Sequence, residues 1–174
     1  KDKVVVLNPL ITCSNCEYCE RGREHLCPDR SILGMSKPIK REGGLAEYVS
    51  IPDKNIYEIP NGLDTKEAAV AEPTAVSLHA VLLGEQTLKK PLSECRVLIQ
   101  GGGAIGLLCG LILAKEKNCK DIVLSDPNKK RLNECSKYLD AKYVSPNDKL
   151  INSNGFDIVF DSVGLEISRQ QAIE

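Results

Sequence analysis

Four cysteines lie close together near the start of the chain. Cys13, Cys16, Cys19 and Cys27 follow the spacing C-x2-C-x2-C-x7-C, which lets one compact loop turn four sulfur atoms toward a common centre. Four thiolates at about 2.3 Å complete the tetrahedron that Zn²⁺ prefers and leave no position for water or substrate. The pattern therefore predicts a structural zinc site that cross-links a loop with little core of its own. Two disulfides or an iron–sulfur cluster are the alternatives.

A glycine-rich turn carries the second recognisable pattern. Arg96–Gln100 is predicted to be a strand and Ala104–Lys117 an apolar helix, with Gly101, Gly103 and Gly106 forming G-x-G-x-x-G between them. The first glycine makes the turn, the second lets a pyrophosphate approach the backbone, and the third lets helix and strand pack closely. The phosphates would lie at the positive end of the helix dipole. The predicted dinucleotide contacts in this turn are Gly101, Gly103, Ala104, Ile105 and Gly106.

A carboxylate follows at the distance that dinucleotide recognition requires. The next predicted strand, Asp121–Ser125, delivers Asp126 about 20 residues after Gly106. Asp126 can accept hydrogen bonds from both hydroxyls of the adenine ribose, and its charge would repel the 2′-phosphate of NADP, so NAD is the predicted cofactor. Basic residues just beyond, Lys129, Lys130 and Arg131, leave NADP open. A glycine turn without a ligand is the other alternative.

Two domains are predicted to hold these residues. From Lys1 to about Ala69 the sequence predicts short strands (Val4–Leu7, Ala46–Ile51 and Asn55–Ile59) between glycine and proline turns. From about Glu72 onward strands alternate with helices, which predicts a parallel sheet with right-handed crossovers. The further predicted elements are a helix over Asn128–Leu139, strands over Lys142–Ser145 and Phe156–Asp161, and a helix from Leu165 onward. We therefore expect an α/β protein in which residues 1–72 and 73–174 form two domains.

The last predicted strand ends in Ser162, Val163 and Gly164. Because the cofactor crevice opens at the carboxyl ends of parallel strands, these three residues are predicted to line it.

Glu72 stands at the boundary between the two domains. A helical pattern covers Lys66–Gly84, with a break or kink expected at Pro73. An acid at a helix start between two domains points into the cleft where chemistry would occur. A stabilising interaction of Glu72 with the helix dipole is the alternative. His79 lies about 10 Å further along a helix axis and is interpreted as a packing or capping residue.

Charge and hydropathy exclude several classes of partner. The formal net charge is −1, with 23 basic and 24 acidic residues, so nothing favours a nucleic acid or an anionic membrane. No apolar run reaches the length of a membrane span, and the longest, Ala104–Ala114, predicts a buried helix. Four clustered and four single cysteines suit a metal site in a reducing compartment, so a cytoplasmic location is expected.

Taken together, these residues resemble the zinc-dependent medium-chain dehydrogenase/reductase family over essentially the whole chain. The motifs that carry the resemblance are Asp2-Lys3-Val4, the four-cysteine lobe, the run from Gly43 to Val49, Ala71-Glu72-Pro73, the glycine turn and Asp126. The resemblance implies part of a GroES-like β domain followed by a partial Rossmann domain, a doubly wound parallel sheet. It also implies that an alcohol or polyol is oxidised by hydride transfer to NAD at a second, catalytic zinc.

Finer expectations follow from the same resemblance. Glu72-Pro73 resembles the polyol and threonine dehydrogenase branch, where this glutamate lies beside the catalytic zinc as a fourth or interchangeable ligand. The stretch Ala71–Val76 followed by His79-Ala80 is closer to sorbitol and idonate dehydrogenases than to threonine dehydrogenases. Val76 and Ile105 would contact the nicotinamide end of the cofactor, and Arg131 the adenosine end. A homo-oligomer, a dimer or tetramer, is expected for the intact enzyme.

The sequence also departs from the family pattern. The family's cysteine ligand and Gly-His-Glu zinc motif are expected upstream of Lys1, and Glu174 falls inside a predicted helix. We therefore expect an internal fragment that alone does not catalyse. A zinc-binding interaction module, or a zinc-free quinone or enoyl reductase of the same superfamily, are the competing interpretations.

Overall fold

The computed structural model describes residues 3–37, 39–151 and 155–173. The chain divides into two structural units, Lys1–Glu72 and Pro73–Glu174. Lys1, Asp2 and Glu174 lie outside the described residues.

The first unit is built from two small antiparallel sheets. Strand β1 (Val5–Leu7) pairs with β4 (Ile56–Glu58), and β2 (Leu10–Ile11) pairs with β3 (Ser31–Ile32). A short helix, α1 (Glu17–Glu20), lies between β2 and β3 in the chain. The strands predicted over Val4–Leu7 and Asn55–Ile59 are thus confirmed with shorter bounds.

A buried amide joins the two sheets of this unit. Asn55 is 3% exposed, and its Nδ2 donates to the carbonyl oxygens of Asn8 at 2.9 Å and of Leu10 at 2.7 Å. The backbone N–H of Asn8 donates in return to the carbonyl of Asn55 at 2.8 Å. The link between β1 and β2 is therefore held against the start of β4 by three hydrogen bonds.

The strand predicted over Ala46–Ile51 is wrong. This segment forms bends and irregular backbone, and the side chains of Leu45 and Tyr48 are almost fully exposed. The alternating pattern satisfies only the side-chain requirement of a strand, whereas its backbone groups also need a neighbouring strand. None of the described segments pairs with it.

The helical region between residues 65 and 85 breaks before the proline rather than at it. Helix α2 (Thr65–Ala68) begins with a capping box, in which the side chain of Asp64 accepts the N–H of Glu67 and Oε2 of Glu67 accepts the N–H of Asp64 at 3.3 Å. Helix α3 (Ala71–Glu85) then runs without interruption through Pro73. Proline lies in the first turn of α3, where its missing N–H would have no intrahelical partner anyway, so the predicted kink at Pro73 is wrong.

The second unit contains a four-stranded parallel sheet. Its strand order is β7-β6-β5-β8. Strands β6 and β7 are added on one side of β5, and after β7 the chain crosses back to add β8 on the other side. The strands are β5 (Arg96–Gln100), β6 (Asp121–Ser125), β7 (Lys142–Val144) and β8 (Ile158–Asp161), and the helices that follow β5, β6 and β8 are α4 (Ala104–Lys115), α5 (Lys129–Cys135) and α6 (Glu166–Ile173). The predicted partial Rossmann fold is confirmed.

The larger core lies on the α4 side of this sheet. Val97 and Ile99 of β5 are fully buried there with Leu113 of α4, whereas Leu98 faces a smaller cluster on the other side. The apolar helix predicted over Ala104–Ala114 is therefore confirmed. Because β5 and α4 are both anchored in this core, the short turn between them has a fixed position.

Among the described residues, no helix combines the length and the apolar character needed to cross a membrane.

An ionic contact closes the amino end of the sheet. Asp157 precedes β8, and its Oδ2 accepts the backbone N–H of Arg96 at 2.7 Å while its Oδ1 lies 2.9 Å from Nζ of Lys90. The N–H of Arg96 and then the Lys90 ammonium lower the pKa of Asp157 below its ordinary value of 3.8, against a smaller opposing effect of burial. The carboxylate is thus more stable in the folded state than in the unfolded chain.

We expect Asp157→Asn to lower the urea midpoint at neutral pH, because the amide loses the ion pair with Lys90. A carboxyl whose folded pKa is lowered contributes stability that is present above its unfolded pKa and is lost as pH falls through the folded value. The difference from wild type should therefore shrink as pH falls below about 4, measured by circular dichroism. Asp140→Asn, at an exposed carboxylate, serves as control. A pH-independent difference would contradict this assignment.

Candidate metal and dinucleotide sites

The four-cysteine lobe brings its sulfur atoms together in the first unit. The Sγ atoms of Cys13, Cys16, Cys19 and Cys27 all lie within 4.8 Å of one another. Three of the separations are 4.0 Å (Cys13 to Cys19), 3.5 Å (Cys16 to Cys19) and 3.5 Å (Cys13 to Cys27). Tetrahedral zinc with bonds of about 2.3 Å requires sulfurs about 3.8 Å apart. The lobe therefore fits zinc, and all eight cysteines are free thiols, so the disulfide alternative is not formed.

Local backbone and two basic side chains hold this loop. Ser14 adopts a left-handed φ of 64°, which turns the chain between the first two cysteines. Lys54 donates from Nζ to Ser14 Oγ, and Nη1 of Arg30 donates to the carbonyl of Cys27 at 3.0 Å. The two basic side chains thus hold the backbone of the loop on either side of the cluster.

The thiols differ in how readily they lose their protons. The backbone N–H of Asn15 lowers the pKa of Cys13 to about 7, more than burial raises it. At Cys16 the N–H of Cys19 lowers the pKa, but burial and the neighbouring sulfurs together raise it to about 11. A metal must therefore displace protons from part of the cluster, which makes its binding dependent on pH.

Two glycines of the G-x-G-x-x-G turn are required by the protein's own geometry. Gly101 has a φ of +96°, and its N–H donates to the carbonyl of Ser125 at 2.7 Å. A Cβ at Gly106 would lie 1.9 Å from the carbonyl oxygen of Gly101. A side chain at Gly106 would therefore push α4 away from the turn. At Gly101 the positive φ disfavours any side chain, and a Cβ there would lie 2.8 Å from Ser162 Oγ.

Gly103 is different, because nothing in the protein requires it to be glycine. Its φ of −75° suits any residue, and a Cβ built there would meet no atom within 4 Å. It is the N-cap of α4, and the exposed residues Ala104 and Ile105 begin that helix. An open space beside the free N–H groups of a 12-residue helix is what a pyrophosphate needs in order to approach the backbone.

Asp126 is the most heavily hydrogen-bonded carboxylate at this turn. It is 2% exposed, and it accepts the N–H of Gly102 at 2.8 Å, the N–H of Asn128 at 2.7 Å and Nη1 of Arg131 at 2.9 Å. Burial would raise the pKa of Asp126, but the N–H of Asn128, that of Gly102 and the Arg131 guanidinium together lower it. The carboxylate is therefore charged at neutral pH and is tied directly to the glycine turn.

Arg131 covers the outer side of this carboxylate. Its side chain is half exposed, and α5 holds its backbone because the side chain of Asn128 accepts the N–H groups of Lys130 and Arg131. A ribose hydroxyl that binds Asp126 must share the carboxylate with Arg131 or displace it. Lys129 and Lys130 are exposed.

The residues after β8 lie against the glycine turn. Ser162 Oγ lies 2.7 Å from the carbonyl oxygen of Gln100 and 3.0 Å from that of Gly101. Val163 and Gly164 are exposed, and Gly164 has a φ of +74°. Of the three residues predicted to line the crevice, Ser162 thus binds the backbone of the turn itself. Sequence reasoning missed this bond, as it missed the N–H of Gly102, because it assigned roles only to the glycines of the motif.

The predicted nicotinamide contacts and Glu72 lie on α3 and α4. Ser77 Oγ donates to the carbonyl of Pro73 at 2.8 Å and lies 3.4 Å from that of Ile105, which brings α3 to the start of α4. Val76 is 49% exposed and Ile105 is 36% exposed. Glu72 is exposed in the first turn of α3. Within the described ranges, the cysteine lobe is the one group of three or more ligands placed to hold a metal ion.

Comparison with known proteins extends over both units. Residues 1–61 match the alcohol dehydrogenase GroES-like domain. Three curated relatives are the uncharacterized zinc-type alcohol dehydrogenase-like protein YdjJ of Escherichia coli (31% identical; 97% of this chain, 48% of the relative), L-threonine 3-dehydrogenase of Pyrococcus horikoshii (30%; 94% and 46%) and D-xylulose reductase A of Aspergillus oryzae (31%; 94% and 47%). The chain spans about half the length of the curated relatives it matches.

Two solved structures share the fold across the whole chain. L-idonate 5-dehydrogenase of Escherichia coli has a TM-score of 0.85 at 28% identity, covering 98% of this chain and 49% of that one. A zinc-binding dehydrogenase from Sinorhizobium meliloti, bound to NADP, has a TM-score of 0.82 at 29% identity, covering 97% and 49%.

The two glycines Gly103 and Gly106 should respond differently to alanine. In the intact protein, we expect Gly103→Ala to weaken NAD binding about tenfold or more, because the methyl group fills the space for the pyrophosphate. Its unfolding free energy should fall by only about 1 kcal/mol, the cost of a poorer N-cap. Gly106→Ala should lose about 3 kcal/mol through overpacking. Calorimetric titration and urea unfolding measure both, and unchanged NAD affinity in Gly103→Ala would refute the pyrophosphate assignment.

Proposed function

Because the chain belongs to the zinc-dependent medium-chain dehydrogenase/reductase family, we propose that the intact protein oxidises an alcohol or polyol by hydride transfer to NAD. The observation that carries the proposal is the half-site around Asp126: a buried carboxylate, bonded to the N–H of Gly102, next to a glycine whose Cβ position is open space. Residues 1–72 would then be the later part of a GroES-like catalytic domain, and residues 73–174 the first half of the NAD-binding domain.

NAD is proposed over NADP on the basis of charge. A 2′-phosphate would meet the buried carboxylate of Asp126, and the nearest guanidinium, that of Arg131, is already engaged by that carboxylate at 2.9 Å. NADP has to be considered because the similar protein from Sinorhizobium meliloti was solved bound to NADP. If the cofactor were NADP, the exposed residues Lys129 and Lys130 would be the cations available to bind its 2′-phosphate.

The substrate class rests on the relatives. One is a D-xylulose reductase and another structure is an L-idonate 5-dehydrogenase, which supports a polyol or sugar-type alcohol. L-threonine 3-dehydrogenase is the second class that the relatives offer. A small soluble substrate also agrees with the balanced charge of the chain, and we propose a cytoplasmic homo-oligomer as the working form.

Two different roles are proposed for zinc. The cysteine lobe would hold a structural ion, since four thiolates leave no open position. A catalytic zinc, when bound, lowers the pKa of the alcohol hydroxyl, but the described residues do not form a site for it. Glu72 is the residue proposed to neighbour that ion, because its carboxylate is exposed at the start of α3.

Metal content and turnover of the intact protein test the proposal together. We expect two zinc ions per chain by metal analysis and alcohol-dependent or polyol-dependent formation of NADH, followed by its absorbance. Glu72→Gln should lower kcat/KM about tenfold or more, whereas Glu94→Gln, at another exposed glutamate, should not change it.

The competing functions give other results. Zinc without any saturable dinucleotide binding would support an interaction module, and dinucleotide-dependent reduction of a quinone or enoyl compound without zinc would support a zinc-free reductase. Either outcome would overturn the proposed dehydrogenase.

A further inference from the structure

We propose that Asp161 is a positioning residue for the dinucleotide turn, acting from the neighbouring strand through Ser162. The inference rests on the proposed function, because it concerns how the same NAD half-site is held in shape. Asp161 is the last residue of β8 and lies in register with Gln100 of β5, the residue that precedes the glycine turn.

The carboxylate of Asp161 closes the turn that follows β8. Its Oδ1 accepts the backbone N–H groups of Val163 at 2.9 Å and Gly164 at 3.1 Å, and its Oδ2 lies 3.0 Å from the hydroxyl of Ser168. Three donors from two different elements therefore converge on one side chain. This fixes the direction in which the chain leaves the sheet.

Helix α6 supplies the outer wall of the same turn. Ser168 is 5% exposed, and its Oγ accepts the N–H of Leu165 at 3.1 Å. Nη1 of Arg169 donates to the carbonyl of Gly164 at 2.8 Å. The turn is thus held from the strand by Asp161 and from the helix by Ser168 and Arg169.

Ser162 transmits this position to the glycine turn. Its N–H donates to the carbonyl of Gln100 at 2.9 Å, and its Oγ reaches the carbonyls of both Gln100 and Gly101. The same Oγ lies 2.8 Å from the places where Cβ atoms of Gly101 and Gly106 would be. The hydroxyl therefore occupies the space that these two glycines leave, and a shift of Ser162 moves the backbone that would face the pyrophosphate.

The charge of Asp161 matters as well as its shape. Burial raises the pKa of this carboxyl, but the N–H groups of Gly164 and Val163 and the Ser168 hydroxyl lower it further than burial raises it. An asparagine would keep one acceptor for the two N–H groups. It would present either an N–H₂ donor or a neutral oxygen to Ser168, so the turn would lose a charge-assisted contact.

The test uses the intact protein and NADH fluorescence. Asp161→Asn should raise the dissociation constant for NADH about tenfold and raise KM for NAD in parallel, with kcat and KM for the alcohol unchanged. Ser168→Ala, which removes only the hydroxyl contact, should raise it about threefold. Asp148→Asn is the matched control, because Asp148 also accepts a backbone N–H in a turn, that of Leu150 at 2.9 Å, and NADH binding should not change.

A double-variant cycle tests the route through Ser162. If Asp161 acts through Ser162, the double variant Asp161→Asn/Ser162→Ala should have the same dissociation constant for NADH as whichever single variant binds NADH more weakly. Additive losses, or wild-type NADH affinity in both Asp161→Asn and Ser168→Ala, would overturn the inference while leaving the proposed function intact. Failure of the wild-type protein to bind NADH would instead overturn the proposed function, and the inference with it.

Discussion

A buried carboxylate holds two parallel strands and a glycine turn in one arrangement. Asp126 directly follows β6, and its bond with the N–H of Gly102 crosses to the turn that follows β5. Because the carboxylate is 2% exposed and also bound by Asn128 and Arg131, releasing any one donor would leave buried charge less well satisfied. The position of α4, and of the free N–H groups at its start, depends on this contact and on the core beneath it.

The first unit has little hydrophobic core and is held together differently from the second. Its described residues form two sheets of two strands each, too little to bury a large core, so we propose that a metal ion cross-links the loop between β2 and β3. Four converging thiols would provide the ligands, and hydrogen bonds from Lys54 and Arg30 hold the loop that carries them. On this proposal the cysteine lobe and the turn at Asp126 share one principle: a charged centre organises backbone that hydrophobic packing alone would leave loose.

Local rules explain what the sequence could predict. Strand β5, the glycine turn, α4 and β6 were predictable because hydrophobic period and glycine geometry act within a few residues, and the cysteine spacing specified the lobe in the same way. The strand over Ala46–Ile51 was not, because pairing depends on a partner elsewhere in space. The bonds from Asp161 to the turn after β8 and from Ser162 to the glycine turn also escaped prediction, since they depend on β8 lying in register beside β5.

The central claim is that this chain carries an NAD half-site built around Asp126. Titration of the intact protein with NADH and with NADPH, followed by nicotinamide fluorescence, tests it most directly. We predict saturable NADH binding that is tighter than NADPH binding, with the preference lost in Asp126→Ala because the charge that repels the 2′-phosphate is removed. Absence of saturable binding, or an Asp126→Ala variant indistinguishable from wild type, would contradict the account.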